Sequence, residues 1–462
     1  MGSCIRWLRR HLVPGRRDII PRLLNAAEND PAESGARRRR ALILALLFFA
    51  TLINYIDRQV LALLAAPLAR EFDWSPSDYS HLVLCFQIAY AVGQVGSGVV
   101  LDRFGLRAGF ALFVLAWSLA AAGHALAASL TGFALCRFLL GLTEASNWPA
   151  AAKTTGEWFA PKDRAFATGV WNTGSATGAV VAAPLVTWIA LHFATPTGVE
   201  GGEPRPAWQL AFAATGALGL VWIALWLAIY RRPPQPAPAA ATAADAAPAI
   251  TRGQLLRRPE MIGLFLARLA TDPVWWFFLI WLPKYLIEKK GLTLAELGAL
   301  AWIPWLVADA GSLAGGMWSS YLIRRGQPVL RARRTVVIIA GCLMPFAILA
   351  AQGETVAGIL ACASIAGFAH QFFASSVLTL PADLFRGPLV ATCSGLSGLG
   401  ATIGGILANV GTGWWLEQSP DGYRQLFVLA GIGHPLAAVL LMLFLRRRFA
   451  AAGDSARAGS PP

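Results

Sequence analysis

A chain of 462 residues that is 56% hydrophobic and only 14% charged is not an ordinary soluble globular protein. Its net charge of +14 comes from arginines scattered over short intervals between apolar runs, which excludes a nucleic-acid-binding domain built on one basic face. The six cysteines show no CxxC spacing and five lie within apolar runs, so neither a disulfide frame nor a zinc site follows.

Residues 1–40 are polar and basic. They hold no apolar core of the kind a secretory signal needs, and Arg6 occupies the Ser/Thr position of a myristoylation pattern. They read as a mobile cytoplasmic tail, with Ile5, Trp7, Leu8 and Leu12 the residues that would touch an anionic membrane surface. Twelve apolar stretches follow, at 41–68, 79–101, 107–128, 131–152, 165–192, 208–230, 260–287, 295–323, 334–352, 355–380, 389–416 and 424–445. Each is long enough to cross about 30 Å of hydrocarbon as a helix. Between the sixth and seventh, Arg231-Arg232-Pro233-Pro234 opens a Pro/Ala-rich stretch without helical periodicity. It predicts a linker over 231–258 between two six-helix halves, 41–230 and 259–446, with a tail at 447–462. The expected fold is an all-α membrane protein of twelve transmembrane helices in two pseudo-symmetric halves around a central site.

Basic residues gather at alternate ends of the spans, from Arg37–Arg40 through Arg103, Arg107, Arg164, Arg324, Arg333 and Arg386 to Arg446–Arg448. The other ends carry Glu71, Asp73, Asp78, Glu200, Glu203, Glu354, Glu417 and Asp421, with Lys284, Lys289 and Lys290 among them. The positive-inside rule then puts both termini in the cytoplasm.

Charges inside the spans carry the functional argument. Asp57 and Arg58 lie in the first span, and Arg137 and Glu144 in the fourth. A charge near the bilayer centre costs about 2.5–3.5 kcal/mol on insertion scales, so it persists mainly where it faces a protein-lined cavity and binds something. Seven residues apart, Arg137 and Glu144 share one helix face. Asp57 and Arg58 point about 100° apart, so only one of them fully faces the cavity. A structural interhelical ion pair is the competing use of each. Gln87, Tyr90 and Gln94 form a polar stripe on the second span, and Gln371, Ser375 and Thr379 one on the tenth. Amides and hydroxyls in an apolar bundle suit a polyhydroxylated ligand, although interhelical hydrogen bonds make the same demand. Trp302 and Trp305 are candidate walls of a sugar site, Arg268 and Asp272 are spaced to pair at i, i+4, and His370 reads as a helix contact. Gly174/Gly178 and Gly400/Gly404 allow close helix approach.

At the inner end of the second span stands Gly98-Val99-Val100-Leu101-Asp102-Arg103-Phe104-Gly105-Leu106-Arg107, echoed without the acid at Gly316–Gly326. The loop resembles the signature between helices 2 and 3 of the major facilitator superfamily, with Leu106 departing from a basic position. The resemblance implies that Gly98, Asp102, Arg103, Gly105 and Arg107 serve conformational change. In that loop the aspartate faces the start of the eleventh span near Leu389 while pairing with arginine. Asn54-Tyr55-Ile56-Asp57-Arg58, Arg137–Ala145 and Arg268 look like the anion:cation symporter family. Gly156-Glu157-Trp158-Phe159, Trp302–Asp309 and Gly367–Gln371 are similar to its bacterial hexuronate transporters.

That resemblance implies import of a small organic anion with protons, most directly a hexuronate such as galacturonate or glucuronate. The transporter would act as a monomer in a bacterial inner membrane, needing no cofactor, metal or nucleic acid. It implies substrate contacts from Arg58, Gln87, Tyr90, Arg137, Asn172, Ser175, Gln371, Ser375 and Ser394, and proton coupling by Asp57 and Glu144. The alternatives are transport of another organic anion (an aldonate, dicarboxylate or aromatic acid), a proton-driven drug antiporter, or a sensor that binds without transport. An enzyme is not expected, since no HExxH, nucleophile elbow or metal-spaced His/Cys cluster occurs.

Overall fold

The structure, a computed structural model, describes residues 31–195, 206–233, 251–293, 296, 300, 302–385, 387–419 and 421–449. The basic tail up to residue 30, the linker segment 234–250 and the tail from 450 lie outside the described residues, as do Glu200, Glu203 and Arg386.

The first predicted span is α1 (Pro31–Leu63) followed by the short α2 (Ala65–Phe72), so the helix starts well before Ala41 and takes in Arg37–Arg40. α3 (Pro76–Phe104) opens on a capping box in which Ser75 and Asp78 exchange hydrogen bonds, with Pro76 in the first turn, where a missing N–H costs nothing. Gly105, at φ +83°, makes the sharp turn into α4 (Leu106–Gly123). The fourth segment breaks into α5 (Leu130–Glu144) and α6 (Asn147–Trp158), where Pro149 has no N–H to offer the preceding turn. Then come α7 (Pro161–His192) and α8 (Trp208–Ile229).

After the short α9 (Arg252–Leu256), the second set begins with α10 (Pro259–Lys290) and α11 (Ile303–Arg324). α12 (Val329–Leu343) leads into α13 (Phe346–Ala350), and α14 (Val356–Val377) into α15 (Leu380–Leu384). α16 (Val390–Gln418) and α17 (Gly422–Phe444) complete it. Among the described residues, ten helical stretches are long and apolar enough to cross a membrane. The α5–α6 pair and α11 stand at the fourth and eighth predicted spans but fall short of that measure. The first is interrupted and carries Arg137, Glu144 and Lys153; the second holds Asp309 and several glycines and serines.

The helix pairings repeat. α1 packs on α7 as α10 packs on α16, and α3 packs on α5 as α11 packs on α14. The two sets meet along α3–α16 and α7–α11. Gly174 and Gly178 lie against the α1 backbone at Phe48 and Leu52, while Gly400 and Gly404 lie against the α10 backbone at Phe265 and Leu269. The small-residue pairs of the sequence thus sit at equivalent crossings of the two sets. Outward-facing side chains such as Leu112, Val221, Leu407 and Val410 are exposed, which suits hydrocarbon rather than water as the surrounding solvent.

Candidate functional site

The end of the bundle that carries the 102–107 loop is closed by ion pairs between helices distant in sequence. Asp102 accepts from Lys153 Nζ at 3.0 Å, from the backbone N–H groups of Ala391 (3.3 Å) and Thr392 (2.8 Å), and from the Thr392 hydroxyl (2.7 Å). A carboxylate thereby sits on the positive N-terminus of α16, as the motif implied. Its cation, however, is Lys153 of α6 and not an arginine. Arg103, the next residue round the helix, is exposed with its guanidinium over Phe104, and Arg107 donates to the Leu227 carbonyl at 3.0 Å. A side chain at Gly98 would overlap the Ala391 carbonyl, so glycine lets α3 and α16 touch here. Asp383 holds a second knot, with Arg164 at 3.0 Å and Arg333 at 2.9 Å, and Arg324 reaches Asp163 at 2.8 Å.

These contacts make a prediction about closure. Asp102→Asn strips Lys153, only 6% exposed, of its counter-charge, and stranding a buried charge costs about 3–5 kcal/mol. Labelling of a cysteine placed at position 394 from the 102–107 side is expected to rise in this variant. Labelling equal to that of unmodified Asp102 would show that the pair does not hold this end closed.

Beyond the closed end lies a cavity of about 550 Å³, reaching Ala62, Tyr79 and Ile280 near the far end of the bundle. Arg58 projects into it from α1. Its Nε and Nη2 donate to Glu144 Oε2 at 3.3 and 3.2 Å, and Nη2 also reaches Asn54 Oδ1 at 3.2 Å. The rings of Tyr55, Phe86 and Tyr90 surround the guanidinium at 4.8, 5.1 and 4.9 Å. Arg137 lines the same wall from α5 and lies over Phe86 at 4.6 Å. It is 4% exposed, and its Nε and Nη1 have no hydrogen-bond partner. The acid that shares its helix face, Glu144, is therefore engaged by Arg58 instead, with Oε1 left without a partner. About two helical turns separate Arg137 from Glu144, whereas Arg58 approaches from the neighbouring helix.

Asp57 is not in the cavity wall. It is buried beside Thr215 of α8, and neither carboxylate oxygen makes a hydrogen bond of ordinary geometry. The 100° step between neighbours sends Arg58 to the cavity and Asp57 away from it.

Gln87, Tyr90 and Gln94 all face the cavity, as do Asn172, Ser175, Gln371 and Ser394. Asn172 Nδ2 donates to Gln371 Oε1 at 2.9 Å and to Ser312 at 3.0 Å, bridging the two helix sets. Ser175 donates to the Asn172 carbonyl at 2.8 Å. Ser375 is a correction: it lies outside the cavity, fully buried, donating to the Phe372 carbonyl under Gly315. Thr379 likewise turns to Thr168. A stripe spaced by four drifts around the helix, so only Gln371 reaches the cavity.

Arg268 and Asp272 form a two-pronged pair at 2.6 and 2.7 Å on the opposite wall. His370 also lines this wall, 3.1 Å from His434 and stacked on Trp275. Trp302 is exposed, and Trp305 packs edge-on against Trp275 behind the wall. The indoles that line the cavity are Trp148, Trp275 and Trp276, which the sequence did not single out. Lys153 went unnoticed too, although a lysine just beyond an intramembrane Glu was a signal of the same kind as Arg137.

A helical bundle closed at one end, with buried guanidinium groups and amides lining a cavity beyond the closure, is the architecture of a membrane transporter rather than an enzyme. The chain belongs to the Major Facilitator Superfamily, whose model matches residues 47–408. It is 32% identical to the hexuronate transporter of Escherichia coli (strain K12), over 88% of this chain and 94% of that protein. It is also 32% identical to the galacturonate transporter of Dickeya chrysanthemi, over 66% of this chain and 88% of that one. Among solved structures, the proton:xylose symporter XylE shares the fold at a TM-score of 0.67, with 13% identity over 89% of this chain and 96% of that chain.

Proposed function

We propose that this chain imports a sugar-acid anion, a hexuronate such as galacturonate or glucuronate, together with protons. The observation that carries the reading is Arg137, a buried guanidinium in the cavity wall whose Nε and Nη1 have no hydrogen-bond partner. Burying such a group is costly unless something pairs with it, and a substrate carboxylate is the partner its planar fork suits. Gln87, Tyr90, Asn172, Gln371 and Ser394 offer donors and acceptors for hydroxyl groups around the same space. The hexuronate and galacturonate transporters among the relatives support this substrate class.

Glu144 is the coupling acid of the reading. While ionised it holds Arg58; when protonated it releases that guanidinium to help bind the anion. Asp57, further from the cavity, is the second candidate. The halves 41–230 and 259–446, of six spans each, rock about the cavity and expose it to the two sides in turn. Both termini lie in the cytoplasm of a bacterial cell, the 102–107 loop faces inward, and the arrangement described above is the outward-facing one. The monomer is the working unit.

Purified protein in proteoliposomes tests the proposal. An inward proton gradient is expected to drive accumulation of labelled galacturonate or glucuronate, and a protonophore to abolish it. Accumulation that survives the protonophore but needs sodium would replace the coupling ion. Binding without uptake would make the protein a sensor.

A further inference from the structure

Among the described residues, the cavity wall holds three guanidinium groups, Arg58, Arg137 and Arg268, and one carboxylate, Asp272. Two of the three cations are already neutralised: Arg58 by Glu144 across the α1–α5 contact, and Arg268 by Asp272 within α10. The second pair is the tighter one. Arg268 Nε and Nη2 each meet a separate oxygen of Asp272, so the planar fork that would clasp a carboxylate is filled from its own helix. The pair also belongs to the opposite helix set from Arg58 and Arg137, so a ligand spanning the cavity would touch Arg137 at one end and the Arg268–Asp272 pair at the other.

Resting on the organic-anion reading above, we propose that Asp272 determines specificity: by occupying Arg268 it limits the site to substrates with one carboxylate and rejects those with two. The chemistry is one of charge balance. A hexuronate has one carboxylate, for Arg137, and presents at its other end a neutral ring or carbonyl group. The neutral pair can meet that end with hydrogen bonds, since the Thr271 and His370 side chains lie beside it. An aldarate of the same carbon skeleton ends in a second carboxylate. That group meets the Asp272 oxygens as a like charge and finds the Nε–Nη2 fork of Arg268 already engaged, so it loses its water without gaining a two-pronged partner. Specificity of this kind is set by what the wall withholds.

The test compares galacturonate with galactarate, its six-carbon dicarboxylate counterpart, as competitors of labelled galacturonate uptake in proteoliposomes. With Asp272 in place, galactarate is expected to compete at least about tenfold more weakly, the scale of one charged hydrogen bond lost or gained. Asp272→Asn frees Arg268, and the relative potency of galactarate is expected to rise by about tenfold or more. Asp272→Glu retains the charge and the preference for the monocarboxylate. The double variant Arg268→Gln/Asp272→Asn removes the pair together and returns the preference to that of the original chain, a reversal that general damage to α10 would not produce. Equal competition by the two acids at the original site, or an unchanged ratio in Asp272→Asn, overturns the assignment of Asp272 while leaving the organic-anion reading intact. Uptake of neither acid overturns both.

Discussion

Arg137→Lys is expected to lose most uptake although it keeps the positive charge. The guanidinium lies over the Phe86 ring at 4.6 Å in a residue 4% exposed, and Nε and Nη1 have no hydrogen-bond partner. A lysine ammonium is a compact point charge that cannot present two parallel donors to a carboxylate and is harder to desolvate. Losing one charge-assisted hydrogen bond of about 1.5–3 kcal/mol weakens substrate affinity by roughly ten- to a hundredfold. Initial rates across a substrate series, measured on a variant reconstituted to the same density, check this. A half-saturating concentration equal to that of the original chain would remove Arg137 from the substrate site.

Glu144→Gln is expected to separate binding from coupling. Glutamine has the shape of the protonated acid but cannot release a proton. In this structure Glu144 is the acid that holds Arg58 at 3.2 Å. The variant weakens that hold, so Arg58 is available to the anion throughout. Binding is expected to be at least as tight as before, and exchange of internal for external substrate to continue. Accumulation driven by a proton gradient falls to simple equilibration. Both assays belong on one preparation, so that insertion and folding are controlled. Continued accumulation under the proton gradient would pass the coupling role to Asp57. Loss of binding as well would make Arg58–Glu144 a structural pair, since breaking a buried pair costs about 3–5 kcal/mol of stability.

Much of this was legible before any fold was in hand, because membrane physics writes itself along a chain. Hydrocarbon demands long apolar helices, so the spans were visible as composition, and an arginine among leucines was conspicuous at Arg58 and Arg137. The two segments that fall short as apolar helices, at 130–158 and 303–324, are informative for the same reason: polar groups concentrate where helices face a cavity or each other. The stripe Gln87-Tyr90-Gln94 was read correctly as one face. Its counterpart Gln371-Ser375-Thr379 was not, because steps of four residues advance by about 400° and drift off the cavity face.

What the sequence by itself determined is the membrane class, the positions of the ten long apolar helices among the described residues, and which residues carry charge within the apolar segments. Those properties are local, and each is fixed by the solvation of a side chain or by helical period. Apart from Arg268–Asp272, whose i, i+4 spacing is local, only the tertiary structure decided who pairs with whom. Arg58 takes the acid that shares a helix face with Arg137, Lys153 takes the aspartate of the 102–107 loop, and Asp383 joins Arg164 to Arg333. Pairing depends on distances between helices far apart in the chain, set by glycine crossings and by the break between α5 and α6. A charge is a property of its residue, but its neutralisation belongs to the fold, and that is why the unpaired state of Arg137 emerged only when the helices were packed.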